Sequence, residues 1–584
     1  MRPAAGIAFF RSPPSMTEPV SFTFEGRRLE GRSGESLAAA LIAAGVRSFR
    51  QTRTGAERSI FCGMGVCQDC VVEVDGQANQ RACMIKLDRS MEVRRERVDR
   101  ELSSLAAGTP PRMIEDIPEE KPEILVIGAG PGGLSAAIAA RRAGAQVVVV
   151  DERSLPGGQF FKQIAISGGD LAAPDSQHEE GRQLIERAIA AGVEVRTGVD
   201  IWGAFPPLTL VGTEAGQIRT FNPGRLIVAT GAYERGLPIP GWTLPGVMTT
   251  GAAQTLWRSY RRLPGKRILI AGNGPLNLQV ACELTRGGAA VAAVLEIAAM
   301  PVLRSLAALA RMLETSPRLV IDGLSYRGRL GISQVPILYG SAIARIEKRP
   351  DGLGVHVARI GRGAGSSERA FSVDAVCLGY GFDPANEILR ALGCKHHFDA
   401  TRGQLVTRLS PDIPGRTSAA NIFALGDCTG LGGARAALAE GILVGLAAAA
   451  DLGHTISAGL AAERDAARRA LVRHRRFQKA LWQLYDAPRV GLALALPDTV
   501  LCRCEEVTVG RIQAVLAEGC HSIGELKRTT RAGMGACQGR YCGPILSALM
   551  AERLGREPDE DLRFAPRMPI KPVSVADIAG LFRS

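Results

Sequence analysis

Val20-Ser-Phe-Thr-Phe24 alternates apolar and polar residues, Glu25-Gly26-Arg27 supplies a tight turn, and Arg28-Leu29-Glu30 returns, which predicts a hairpin with one buried face. Ser36 to Ala44 follows as a short helix stopped by Gly45. Beyond a cysteine-bearing loop, Cys70-Val-Val-Glu-Val74 reads as a further strand with Asp75-Gly76 as its turn. Farther along, the pattern changes. Ile124 to Ile127 is a continuous apolar run, as expected of a parallel strand covered on both faces. A glycine turn, a helix over Leu134 to Ala143 and a strand over Val147 to Val150 complete one βαβ unit. A second unit has a strand at Ile268 to Ala271, a turn opening at Gly272, a helix to about Arg286 and a strand at Val291 to Leu295. The chain returns to the first unit near Ile422 to Asp427.

Strand, strand, helix, cysteine loop, strand is the build of a small ferredoxin. The expected organisation is therefore an α+β ferredoxin-like domain over 18–100 and a charged, proline-bearing linker over 101–121, within a charged stretch that starts at 84. Next come a Rossmann-like dinucleotide-binding domain in two parts, 122–245 and 371–455, and a second one inserted at 246–370. An arginine-rich helical connector covers 456–497, a mainly helical cysteine-bearing domain covers 498–556, and the tail 557–584 is extended and packed on a surface. The fold class is α/β with two dinucleotide-binding domains, flanked by two small cysteine domains.

Eight of the thirteen cysteines fall in two sets, Cys62-x4-Cys67-x2-Cys70-x12-Cys83 and Cys502-x-Cys504-x32-Cys537-x4-Cys542. Four thiolates suit a [2Fe–2S] cluster, in which each iron takes two sulfurs from protein and two bridging sulfides. The first set has plant-type ferredoxin spacing, and Gly63 and Gly65 let its loop fold so that backbone N–H groups reach the sulfurs. For the second set, zinc or an empty site stay open beside a cluster; for the first, zinc or free thiols are the alternatives. Cys377, Cys394, Cys428 and Cys520 lack partners and read as core thiols, and Cys282 stands alone in the second dinucleotide unit.

Between the sets, Gly128-Ala-Gly130-Pro-Gly-Gly133 stands after a strand and before a helix, where glycines let the backbone approach a pyrophosphate at a helix N-terminus. Asp151 ends the next strand, placed to meet a ribose, with Glu152 as its rival. Gly158-Gln159, Thr230-Gly231 and Gly426-Asp427 agree with this, the last as the partner of a ribityl chain. FAD is the expected cofactor. In the second unit, Gly272-Asn-Gly274-Pro-Leu-Asn277 carries asparagine at the third glycine position, and Glu296 ends the following strand. Whether that pocket takes a nicotinamide nucleotide, another nucleotide or none stays open, and because no C-x-x-C lies near the flavin a disulfide reductase is not expected.

Composition changes little. The formal net charge of +13 suits anionic substrates or an acidic partner, or is drift in an Ala/Arg/Gly-rich chain. Aromatic residues make up 5%, and no motif supports nucleic-acid binding. No apolar run reaches the ~20 residues of a membrane helix, and Met1 to Ser15 lacks a signal-peptide core, so a cytoplasmic location is expected. His396-His397 reads as a solvated pair, not a metal site.

Phe61 to Cys70, Asn79 to Cys83, Cys502-Arg-Cys-Glu-Glu506 and Gly533 to Pro544 resemble the large (alpha or A) subunits of the opine oxidase, D-hydroxyproline dehydrogenase and hydrogen cyanide synthase group. Sarcosine oxidase alpha subunits are more distantly similar. The second cysteine set resembles the bacterioferritin-associated-ferredoxin module, departing from it in ending C-x4-C instead of C-x2-C. The resemblance implies a hetero-oligomer in which a flavin-containing beta subunit oxidises a secondary amine or imino acid, with FMN held near the subunit interface. This chain would then take up the electrons and hold no catalytic acid or base; its acceptor is not implied. The competing expectations are a stand-alone NAD(P)H-dependent reductase, a glycine-oxidising hydrogen cyanide synthase subunit, and a scaffold with vestigial nucleotide folds.

Overall fold

The computed structural model describes residues 19–96, 117–166, 175–301, 305–360, 369–488, 490–575 and 578. The expected N-terminal segment and most of the expected linker lie outside the described residues. The opening hairpin pairs Pro19–Phe24 with Arg27–Arg32, and Glu25 and Gly26 both take positive φ, so the turn twists with the strands. The sheet runs Arg27–Arg32, Pro19–Phe24, Glu92–Arg95, Val71–Val74, Gln77–Arg81. Its central strand, Glu92–Arg95, lies in the stretch expected to be charged linker. Only Val93 of that strand is buried, and its charged neighbours point outward. Helix Leu37–Ala43 packs on this sheet, capped by the Ser36 side chain, which accepts from the Ala39 N–H.

The first dinucleotide fold is a parallel sheet ordered Glu194–Thr197, Val147–Asp151, Ile124–Ile127, Arg225–Val228, Ile422–Ala424. Helices Pro131–Arg142 and Ala434–Asp451 pack beside it so tightly that a methyl group at Gly441 would lie 2.4 Å from the Gly132 carbonyl oxygen. The second parallel sheet runs Val247–Thr249, Ala375–Gly379, Arg267–Gly272, Ala290–Glu296, Ile337–Tyr339. Because Ala375–Gly379 pairs with Arg267–Gly272, the chain returns to the first domain after residue 379, later than the expected 371. A helical hairpin, Leu306–Thr315 and Pro317–Ile332, was not legible in the sequence pattern.

The connector is one helix, Ala458–Leu484, capped by Ser457. The C-terminal module has a short strand pair, Val500–Cys502 with Val507–Thr508, and helices Val509–Ala517, Ile523–Thr530 and Gly543–Leu554. The tail lies on the first dinucleotide domain: the Ile570 N–H donates to the Trp202 carbonyl, and Lys571 pairs with Glu152 and Asp200. Among the described residues no helix is long and apolar enough to cross a membrane.

Candidate redox sites

In the first glycine turn each position has a distinct steric reason. A Cβ at Gly133 would meet the Gly128 carbonyl oxygen at 1.9 Å, and one at Gly128, whose φ is +108°, would meet the Ala229 carbonyl oxygen at 2.4 Å. At Gly130 the nearest atom would be the Gly158 Cα at 3.9 Å, so that glycine leaves open space above the turn. Helix Pro131–Arg142 starts there without a side-chain cap, leaving its first N–H groups for a ligand. Helix Ala434–Asp451 likewise starts uncapped behind Gly433.

The remaining flavin-site residues gather around this turn. The Gly157 N–H donates to the Ala129 carbonyl, which seats Gly158 on Gly130. The Gln159 carbonyl accepts from the buried Lys162 ammonium at 2.7 Å. Thr230 donates through its hydroxyl to the Ala385 carbonyl, and Gly231 (φ +71°) has no atom near its missing side chain. Gly426 donates to Glu440, and Asp427 accepts from the N–H groups of Gly432 and Gly433, both at 2.9 Å. Asp151 accepts from the N–H groups of Ala129 and Arg153. Burial pushes the carboxyls of Asp151 and Asp427 above the usual range. Glu152, the rival ribose partner, is paired with Lys571 instead. Open space over Gly130, flanked by two uncapped helix starts, fits the pyrophosphate and ring of FAD.

The second turn is tied to its neighbours by its own residues, while Gly274 at its uncapped helix start has no atom near its missing side chain. Asn277 is buried, donating to the Gly379 carbonyl at 3.1 Å and accepting from the Thr250 hydroxyl at 3.0 Å. Glu296 accepts from the N–H groups of Gly274 and Ala298, and burial raises its carboxyl to about 7. The Asn273 side chain donates to the Tyr485 carbonyl at the end of the connector helix.

The eight cysteines form four close pairs: Cys62 with Cys67, Cys70 with Cys83, Cys502 with Cys542, and Cys504 with Cys537. All are buried except Cys504, which is half-buried. Among the described residues no three ligand side chains converge as a single-ion site would require. Two thiols per point, twice over in each set, is the donor arrangement of a binuclear iron–sulfur group. Backbone N–H groups reach the sulfurs: Cys67 N–H donates to Cys62 Sγ and Asp69 N–H to Cys67 Sγ, both at 3.4 Å. Burial works against it, yet the Cys67 thiol and nearby N–H groups bring Cys62 down to about 6, and Cys542 with such groups brings Cys502 to about 7. Their partners go the other way: Cys67 is raised well above the ordinary thiol range by burial and its hydrogen bond to Cys62, and Cys542 by its hydrogen bond to Cys502 and burial, so one thiol of each pair ionises first. The C-x4-C spacing of Cys537 and Cys542 still builds two pairs.

Although the two sets lie at opposite ends of the sequence, half of each meets in one apolar core. Cys62 and Cys67 pack in a cluster with Phe61, Trp242, Tyr541 and Cys537, against which Cys504 also lies. Sequence reasoning missed Asp69 and Arg503, which meet between the sets. The available signal was charge: an arginine inside Cys-Arg-Cys and an aspartate inside Cys-Gln-Asp-Cys, each in a motif certain to be buried. His396 is also corrected. It is buried, hydrogen-bonded to the Cys394 carbonyl and Thr407, and desolvation lowers it to about 4; only His397 faces solvent.

Three families match the chain: "Pyridine nucleotide-disulphide oxidoreductase" over 122–441, "2Fe-2S iron-sulfur cluster binding domain" over 17–98 and "BFD-like [2Fe-2S] binding domain" over 500–552. The opine oxidase A-subunit of Agrobacterium tumefaciens (strain Ach5) is 34% identical over 483 residues, 79% of this chain and 92% of that protein. Hydrogen cyanide synthase subunit HcnB of Pseudomonas aeruginosa is 32% identical, over 78% of this chain and 98% of that protein. The crystal structure of L-proline dehydrogenase from P. horikoshii superposes with a TM-score of 0.70 at 19% identity, covering 96% of this chain and 98% of that one, which shows a shared fold.

Proposed function

The chain belongs to the pyridine nucleotide-disulphide oxidoreductase family and to the group of opine oxidase A-subunits, as a flavin and iron–sulfur oxidoreductase; from that premise we propose that it is the electron-accepting subunit of a multi-subunit amine dehydrogenase or oxidase. A partner flavin subunit oxidises a secondary amine or imino acid such as an opine or D-hydroxyproline, and FMN sits near the interface between the two. FAD, when bound, supplies the two-electron to one-electron conversion, and [2Fe–2S] groups carry single electrons.

The observation that carries this reading is how the carboxylates around the flavin cradle are used. Asp151, Asp427 and Glu440 each accept from backbone N–H groups. They hold the turns that hold the cofactor, a structural role at the cradle. Gly128, Gly130 and Gly133 seat the pyrophosphate, and Gly158, Gln159, Thr230, Gly231 and Gly426 shape the walls. Cys62, Cys67, Cys70 and Cys83 hold one cluster, and Cys502, Cys504, Cys537 and Cys542 the other. Asn277 ties the second turn to strand Ala375–Gly379 and helix Thr250–Tyr260, an alteration that counts against a stand-alone NAD(P)H-dependent reductase.

The test is turnover with and without a partner. The chain purified alone shows FAD and iron–sulfur absorbance but oxidises no opine, D-hydroxyproline, glycine or sarcosine. Co-expression with a beta-type flavin subunit restores turnover with an artificial acceptor. Bleaching of the lone chain's flavin by one of these amines would place the active site in this polypeptide, and rapid anaerobic bleaching by NADH or NADPH would make it a reductase.

A further inference from the structure

Arg503 lies between Cys502 and Cys504, and Asp69 lies between Cys67 and Cys70. Their side chains meet at 2.6 Å (Nη2 to Oδ2) and 2.8 Å (Nε to Oδ2), with 5% and 1% of their surfaces exposed. The third guanidinium nitrogen, Nη1, donates to the Trp242 carbonyl at 2.7 Å. The guanidinium also lies in the corner of two nearly perpendicular rings, its carbon 3.7 Å from the Phe61 ring centre and 4.6 Å from that of Trp242. Phe61 is the residue before Cys62 and Tyr541 the residue before Cys542, and their rings contact edge-on with centres 5.4 Å apart. A buried ion pair is costly to desolvate, so its place between two cysteine loops calls for a reason.

We propose that Phe61, Asp69, Arg503 and Tyr541 form a junction through which an electron passes directly from the group held by the first cysteine set to the group held by the second. Arg503 acts as a positioning residue: its fork locks the two loops in register, and its charge favours the electron on the second set. The inference rests on the reading that both sets hold [2Fe–2S] groups. The step moves one electron and no proton: the first group is oxidised by one electron and the second reduced by one. Tyr541 serves as packing between them and not as a radical stop, because its buried hydroxyl has no hydrogen-bond partner among the described residues to take a proton. The anionic end of the pair is in the first set's loop and the cationic end in the second's. On the first side Arg50 also pairs with Asp69 at 3.6 Å and the buried Arg58 with Glu506 at 3.0 Å, so the bias towards the second set rests on Arg503, which stands between two of that set's cysteines.

The experiment uses the full chain with its FAD and iron content measured. Reduced fully with dithionite, the wild type gives an EPR spectrum with spin–spin splitting or broadening that vanishes when either set is emptied, by Cys67→Ser or Cys537→Ser. In a redox titration, Arg503→Met shifts the partition of one electron between the sets about tenfold towards the first, a relative midpoint change of ~59 mV. Asp69→Asn shifts it in the same direction. Should either single variant fail to fold, the pair Asp69→Asn with Arg503→Met removes both charges and carries the same prediction. Four irons per chain with a spectrum equal to the sum of the two single-set variants would overturn the junction and leave the proposed function standing. Two irons or fewer would overturn both. Splitting that persists while the partition stays unmoved in Arg503→Met would overturn the role of Arg503.

Discussion

At Gly133 a methyl group would lie 1.9 Å from a backbone oxygen, whereas at the matching place in the second fold Asn277 stands with its whole side chain buried. The second turn makes room because its own neighbours are bare: a Cβ at Gly379 would meet Asn277 Oδ1 at 2.2 Å, and one at Gly272 would meet Asn277 Nδ2 at 2.7 Å. The same βαβ geometry has thus been used twice. Both turns leave space above the helix start, at Gly130 and at Gly274. In the second, a polar side chain fills the seam and ties helix Pro275–Arg286 to strand Ala375–Gly379 and helix Thr250–Tyr260. The second turn is thereby also a joint between domains.

The largest test of that contrast lies in the first turn. Gly133→Val forces the helix off the strand, so we expect FAD to be lost together with stability, by about 4 kcal/mol or more. Gly130→Val, by contrast, meets no protein atom closer than 3.9 Å from its Cβ; FAD should be lost while the melting temperature of the apoprotein stays within a few degrees of wild type. Flavin absorbance after gel filtration and a thermal melt separate the two. Full FAD in Gly130→Val would leave the turn without its cradle role.

Glu296 gives the next effect. Its carboxyl is raised by burial to about 7, against an ordinary value of 4.5. The folded state then holds a proton that the unfolded chain releases, so this contribution to stability is complete below pH 4.5 and is lost as pH rises through 7. The span is on the order of 3 kcal/mol. Glu296→Gln should flatten the fall of stability between pH 5 and 8 measured by urea denaturation; an unchanged slope would mean the carboxyl is already ionised in the joint. Asn277→Ala should cost roughly 2–3 kcal/mol, from two lost buried hydrogen bonds and the space left behind, without creating NADH-dependent flavin reduction.

Much of this contrast was legible beforehand. Ile124–Ile127 is continuously apolar because a parallel strand is buried on both faces, and the strand falls on those four residues. The glycine spacing located the cradle, and Asn277 already marked the second turn as altered. What local pattern could not give was non-local. Glu92–Arg95 hid a central strand behind three charges because only Val93 had to be buried. The helical hairpin Leu306–Thr315 and Pro317–Ile332 keeps few buried residues to set a period, among them Ala308, Met312, Val320 and Leu330. The meeting of Asp69 with Arg503 spans 434 positions, and no window on the sequence contains both. Chain order placed the flavin fold between the two cysteine sets; packing puts the sets against each other.

The smallest effect probes how the joint is covered. Asn273 sits in the second turn where the first has Ala129, and its side chain donates at 3.1 Å to the Tyr485 carbonyl. Tyr485 is the C-cap of the connector helix, so this bond ties the end of that helix over a turn that would otherwise face a nucleotide. Asn273 is half-buried, which leaves water able to replace part of the lost bond. Asn273→Ala should therefore cost only about 0.5–1 kcal/mol globally. Locally the loss should show as faster amide hydrogen exchange just after Tyr485, with protection in Ile124–Ile127 unchanged, because opening the connector does not require opening the first sheet. If the second turn were a nucleotide cradle merely shut by this tether, releasing it would let NADH bind and protect the turn from exchange. Added NADH leaving the exchange of Asn273→Ala unaltered is the result that keeps the joint a joint.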